Sequence, residues 1–143
     1  MADSNEEVID SIIEYQEDIA DAQPPAPLPA GKYHGEIVQA LPKIGKTSGK
    51  PYGEVMFRIS ADQYPSDYTD GNPDGTLLGY RKLSLTQTAL ARYGMRRFCE
   101  AIGAPMGRKI DMMDWIGKEA TLDVENRMYE GTLRMDIKAV EKA

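Results

Sequence analysis

Three stretches of this chain alternate apolar and polar residues with period two, and that pattern fits only half-buried β-strands. In Glu54–Ser60, Val55, Phe57 and Ile59 share one face, with Glu54, Met56 and Arg58 on the other. In Lys118–Glu125 the inward set is Ala120, Leu122 and Val124, and in the last strand it is Leu133, Met135 and Ile137, after a turn near Tyr129-Glu130-Gly131. Two more segments read as strands. Tyr33–Leu41 is rich in β-branched and aromatic residues ahead of Pro42, and Thr76–Leu85 follows a turn-rich loop, Asp62–Gly75. With Leu77, Leu83 and Leu85 taken as core, Tyr80 and Lys82 fall on the outer face of this third strand. One segment has helical period. Thr86 or Ser84 caps it, Leu90, Gly94, Phe98 and Ile102 form its inner stripe, and Arg92, Arg96 and Arg97 point mostly outward. Gly103 and Pro105 end it. Asp111–Ile116 reads as a short helical turn.

The order is β-β-β-α-β-β. A mainly β chain with a single helix between its third and fourth strands has the order of the OB-fold, a five-stranded Greek-key barrel. The repeated βαβ units of a Rossmann domain are absent. A body of this length supports one core and not two.

Charge divides the chain further. Residues 1–23 hold eight acids and no base, whereas residues 24–143 hold 15 acids and 17 bases. The overall net charge of −6 therefore hides an acidic arm and a mildly basic body. Within the arm, Val8, Ile9, Ile12, Ile13, Tyr15 and Ile19 recur at near-helical spacing, and Ser4 with Glu7 fits a capping box. The arm is thus a helix or a disordered segment. Residues 24–31 hold four of the nine prolines and read as a stiff, extended linker. The expected organisation is an acidic arm over 1–23, the linker over 24–31 and the folded domain over 32–143.

Composition narrows the chemistry. Cys99 is the only cysteine and His34 the only histidine. A disulfide framework, a multi-cysteine zinc site and a His-rich metal centre are excluded. Cys99, beside Phe98, and Trp115, beside Met112 and Met113, read as core residues. No apolar run approaches a membrane span of roughly 18 residues, and the acidic N-terminus is no signal peptide, so the expected location is the cytoplasm. Ala40–Thr47 nearly matches a nucleotide-binding P-loop, but Ser48–Gly53 cannot continue as the required helix. Asp67, Asp70, Asn72 and Asp74 lack the spacing of a calcium loop. No catalytic constellation is present, and no cofactor or metal is expected.

What remains is basic residues interleaved with aromatics. Lys43, Lys46, Lys50 and Tyr52 lie in or beside the first strand-to-strand loop, placed at Pro42–Gly53. Arg58 projects from the second strand, Tyr80 and Lys82 from the third. Arg127, Tyr129 and Arg134 cluster at the last hairpin. In an OB-fold the strand 2–3 face and the loops joining strands 1–2 and 4–5 hold the ligand. A basic groove tracks phosphates, and aromatic rings stack on bases whatever the sequence.

The chain also resembles the small OB-fold single-stranded DNA-binding proteins encoded by bacteriophages. The resemblance covers roughly Pro29 to Lys138. It rests on Leu28–Tyr33, on Lys46–Tyr52 leading into Val55–Ile59, and on Leu83–Thr86 before a helix ending Phe98–Gly103. Trp115–Ala120 completes it. It implies non-enzymatic protection of single-stranded DNA in phage replication or recombination, within the host cytoplasm. It places Lys46, Lys50, Tyr52 and Arg58 at DNA-binding positions. Many such proteins end in an acidic C-terminal tail that recruits partners, whereas here the acidic segment is N-terminal. The arm is expected to recruit replication or recombination proteins, or to lie over the basic groove until DNA displaces it. The alternative is an OB-like protein–protein adaptor acting through that arm. Exposed third-strand or helix surfaces can support a homodimer.

Overall fold

The structure is a computed structural model that describes residues 7–143. Five antiparallel strands form one sheet in the order β3-β2-β1-β4-β5. They are β1 (Gly31–Ile44), β2 (Pro51–Ile59), β3 (Thr76–Ser84), β4 (Glu119–Tyr129) and β5 (Thr132–Glu141). One helix, α1 (Ala89–Ile102), and a 3-10 turn over Met112–Trp115 lie between β3 and β4. The two end strands face each other across a seam. There the Lys82 ammonium donates to the Ile137 carbonyl at 3.1 Å. The sheet is therefore barrel-like, left open between β3 and β5.

The three alternations hold where they matter most. Val55, Phe57 and Ile59 are fully buried, as are Ala120, Leu122, Val124 and Ile137. Leu133 is exposed, because the β4–β5 hairpin projects past the core. Its turn has positive φ at both Glu130 (51°) and Gly131 (79°), the two-residue geometry that matches strand twist. The first loop is shorter than its composition suggests. Pairing continues to Ile44 opposite Pro51. Pro42 is tolerated in the strand because β4 leaves β1 after Glu36, so a missing N–H there breaks no ladder on that side. The P-loop-like stretch is thus a hairpin with no helix behind it.

β3 departs from the expected faces. Leu77 is exposed, whereas Tyr80 turns inward and stacks on Phe98. The cause is a β-bulge. Gly53 pairs with Leu83 but Val55 with Tyr80, so β3 carries one extra residue at Arg81–Lys82 and its parity inverts there. The inner stripe of α1 also differs. Thr88 caps the helix, its hydroxyl accepting the Ala91 N–H at 3.1 Å. The buried set is Ala91, Phe98, Cys99 and Ile102, with Met95 packed beside it, and Leu90 and Gly94 face solvent. A strict i+4 row leans about 40° per step around a helix, which carries Leu90 off the face that Ile102 occupies. Gly103 ends the helix at φ 70°.

Phe98 sits between Tyr80 and Trp115, closing one mouth of the barrel, and Trp115 and Cys99 are fully buried. The proline-rich segment is extended but is no free spacer. Leu28 is completely buried, and its carbonyl accepts from the Asn126 amide at 2.9 Å. Tyr33 donates to the Pro29 carbonyl and Tyr68 to that of Ala26, while Asp70 accepts the Ala26 N–H. Of the acidic arm, residues 7–18 hold no helix, and a 3-10 turn spans only Ile19–Asp21. Ser4, half of the expected capping box, lies outside the described residues. Among the described residues no helix is long and apolar enough to cross a membrane.

Candidate nucleic-acid interface

The β1–β2 turn is braced by its own hydrogen bonds. The Gly45 N–H donates to the Lys50 carbonyl and the Gly49 N–H to that of Gly45, with Gly49 at φ 69°. The Lys50 N–H donates to the Ser48 hydroxyl. Lys46 and Lys50 are exposed on this turn, and neither has an ion-pair partner among the described residues. Tyr52 follows at the start of β2, half-buried and facing outward with Glu54. A shallow hollow of about 370 Å³ joins Lys50 and Tyr52 to Arg81, Lys82 and Ser84 of β3.

The bulge supplies two adjacent cations on the outer side of β3. Arg81 pairs with Glu54 at 2.6 Å, and Lys43 of β1 meets the other oxygen of the same carboxylate, also at 2.6 Å. The hydrogen bond from Lys43 holds the Glu54 carboxyl below the usual carboxylate range, with Arg81 adding to it against the opposing effect of partial burial. Lys82 extends the strip across the seam. It lies 3.9 Å from Asp136, which also accepts from Arg127 at 3.4 Å. At the far hairpin the Arg134 guanidinium lies over the Tyr129 ring, 4.8 Å from its centroid.

One outer face therefore gathers Lys43, Lys46, Lys50, Tyr52, Lys82, Arg127, Tyr129 and Arg134. Two expected residues lie elsewhere. Arg58 stands six residues along β2 from Tyr52, about 20 Å away, where it pairs with Glu36 at 3.6 Å beside His34 and Glu119. Tyr80 points into the core. Burial against Phe98 raises its hydroxyl pKa, with Arg97 acting in the opposite sense. Arg81 belongs to the strip as well, although regular alternation places it on the face opposite Lys82. Its sequence signal is the adjacent pair Arg81-Lys82, which a regular strand would split between two faces and a bulge presents together.

No protein-family model matches the chain, and no curated protein matches it in sequence. The reading of this face rests on its chemistry. Free lysines at one end, cation pairs that each share a single carboxylate in the middle and a cation–aromatic pair at the other end form a track suited to a polyanion that also presents flat rings. Within it, Glu54 and Asp136 hold cations in place at the cost of local positive charge.

Proposed function

We propose that the chain is an OB-fold protein that binds single-stranded DNA with little sequence preference, without catalysing a reaction. The observation that carries this reading is the convergence of Lys46, Lys50, Tyr52, Lys82, Arg127, Tyr129 and Arg134 on one outer face between the β1–β2 and β4–β5 turns. That is where an OB-fold holds oligonucleotides. The sheet order, with β3 turned toward β5, supports the same fold. Cations neutralise phosphates along the track, and Tyr52 and Tyr129 stack on bases, each worth roughly 1–3 kcal/mol. The resemblance to phage-encoded single-stranded DNA-binding proteins gives the biological setting, strand protection during replication or recombination.

The test is fluorescence anisotropy with a labelled oligo(dT) of about 30 nucleotides, long enough for several times the smallest OB-fold site, titrated over a salt series with a matched duplex as control. Binding of the single strand should weaken with salt, with a log–log slope near −0.7 per phosphate neutralised, and the duplex should bind much more weakly. Absence of binding at low salt would overturn the reading.

A further inference from the structure

Ser84 lines two openings at once. One is the hollow that joins Lys50 and Tyr52 to Arg81 and Lys82. The other is an open groove of about 1320 Å³ bounded by α1, the connection after it and the Ala40–Pro42 stretch of β1. The cationic strip therefore runs on past the end of β3 into a second, larger opening. A series of hydroxyls marks the passage. The Thr86 N–H donates to the Ser84 hydroxyl at 3.3 Å, and the two hydroxyls lie 3.0 Å apart. Thr86 leads on to the hydroxyl of Thr88, the N-cap of α1, at 3.5 Å.

The groove repeats the chemistry of the strip. Arg92, Arg96 and Arg108 line it against one acid, Asp111. That carboxylate is engaged as a cap, accepting the Met113 N–H at 3.0 Å. Arg92 and Arg108 have no ion-pair partner among the described residues, and Arg96 meets only Glu100, at 3.6 Å. Arg92 and Arg96 stand one turn apart on the same side of α1, about 6 Å along its axis, close to the separation of successive phosphates on an extended strand. The first turn of α1 holds no acid, so the positive end of the helix adds to the same field.

Thioethers supply the rest of the wall. Met106 and Met113 are both more than half exposed, and Met95 and Met112 also line the groove. A methionine sulfur makes favourable contacts with aromatic rings, and every base presents such a ring. The groove is larger than the pockets of roughly 300–1,000 Å³ that hold single small molecules, so a polymer fits it better. An acidic amphipathic peptide would be drawn to the same arginines. What favours a nucleotide strand is the shared Ser84 wall, which makes groove and strip one continuous path.

We propose that single-stranded DNA, having crossed the strip, continues around Ser84 into this groove, with phosphates on Arg92, Arg96 and Arg108 and bases against the methionines. The inference rests on the single-stranded DNA reading of the strip and extends that site beyond the surface between the two hairpin turns.

The test is anisotropy with oligo(dT) from about 5 to about 30 nucleotides, a range that brackets the site sizes of single OB-folds, on the parent and on Arg92→Ala with Arg108→Ala. Both arginines are exposed, and circular dichroism melts verify that the variant folds. The ratio of parent to variant affinity should start near one for the shortest oligonucleotide and reach about ten for the longest, where the salt slope should be shallower by about 1.4 for two lost phosphate contacts. Peroxide oxidation of Met106 and Met113, followed by mass spectrometry, should slow when the longest oligonucleotide is bound. An affinity ratio that stays constant over the series overturns the proposal, and that is the outcome if the groove takes an acidic peptide instead. Methionines left unprotected under saturating oligonucleotide overturn it as well. In both cases binding of the shortest oligonucleotide leaves the strip reading standing. Absence of binding at every length overturns the strip reading and this extension together.

Discussion

Tyr80 lies nearly parallel to Phe98, with ring centroids 5.6 Å apart and planes 15° apart. This stack ties β3 to α1 and makes Tyr80 a packing residue. Tyr80→Ala should cost about 2 kcal/mol of stability, below the range for fully buried aromatics because Tyr80 is only half-buried. The melting temperature should fall by several degrees. Affinity of the folded variant for oligo(dT) should change little. A variant with unaltered melting and much weaker binding would return Tyr80 to the binding face.

Tyr52 should behave in the opposite way. Tyr52→Ala is expected to lower oligo(dT) affinity by about 1–3 kcal/mol while leaving the salt slope in place, because stacking releases no counterions. Lys50→Ala should instead make the slope shallower by about 0.7. Anisotropy titrations at four or more salt concentrations separate the two effects.

Glu54 links stability, pH and binding. Its carboxyl is held below the ordinary range by Lys43 and Arg81. Its stabilising contribution is therefore present above the unfolded carboxylate pKa of about 4.3 and is lost as pH falls through the lower folded value. Urea unfolding of the parent and of Glu54→Gln should differ at neutral pH and converge in acid. The same substitution frees Lys43 and Arg81, so oligo(dT) binding should tighten and its salt slope steepen.

How far these features could be read in advance depended on regularity. β2 and β4 keep strict alternation and one buried face, so Val55, Phe57, Ala120 and Leu122 announced themselves. β3 inverts parity at the Arg81–Lys82 bulge, and a bulge needs no distinctive residue. Regular alternation therefore places Tyr80 outward and splits Arg81 from Lys82, where the bulge does the reverse. Leu90 shares an i+4 row with Ile102, but three steps along such a row turn about 120° around the helix, which carries it off the buried face. The outward placement of Lys50, Tyr52, Arg127 and Arg134 is legible in sequence because hairpin tips leave long polar side chains few other directions. Their joining through Lys82 and Asp136 needed the β3–β5 approach, which no local pattern encodes.

Cys99 is completely buried, and that burial pushes its thiol pKa upward. It should react with a disulfide reagent at pH 8 only as fast as the fold opens. Adding urea near the unfolding midpoint should accelerate labelling in step with the loss of circular dichroism signal.

Leu28 sets where the folded unit begins. Removal of residues 1–23 should leave the melting temperature nearly unchanged, whereas Leu28→Ala should cost about 2–5 kcal/mol, as for other buried leucines. Thermal melts of the two proteins provide the comparison. Equal melting of both would show that the proline-rich segment is only a spacer.

The bond from Asn126 to the Leu28 carbonyl spans 98 positions of the chain, and the Lys32–Glu141 pair spans 109. β1 itself must wait for β4 before its second edge is covered. A ribosome therefore releases nearly the whole polypeptide before the first strand finds its last neighbour. Folding of this kind is dominated by distant partners and is slow for its size. During that interval the apolar residues of β1 and β2 are exposed to other nascent chains. An acidic stretch that emerges ahead of β1 gives every unfinished copy the same charge, and like charges keep such copies apart.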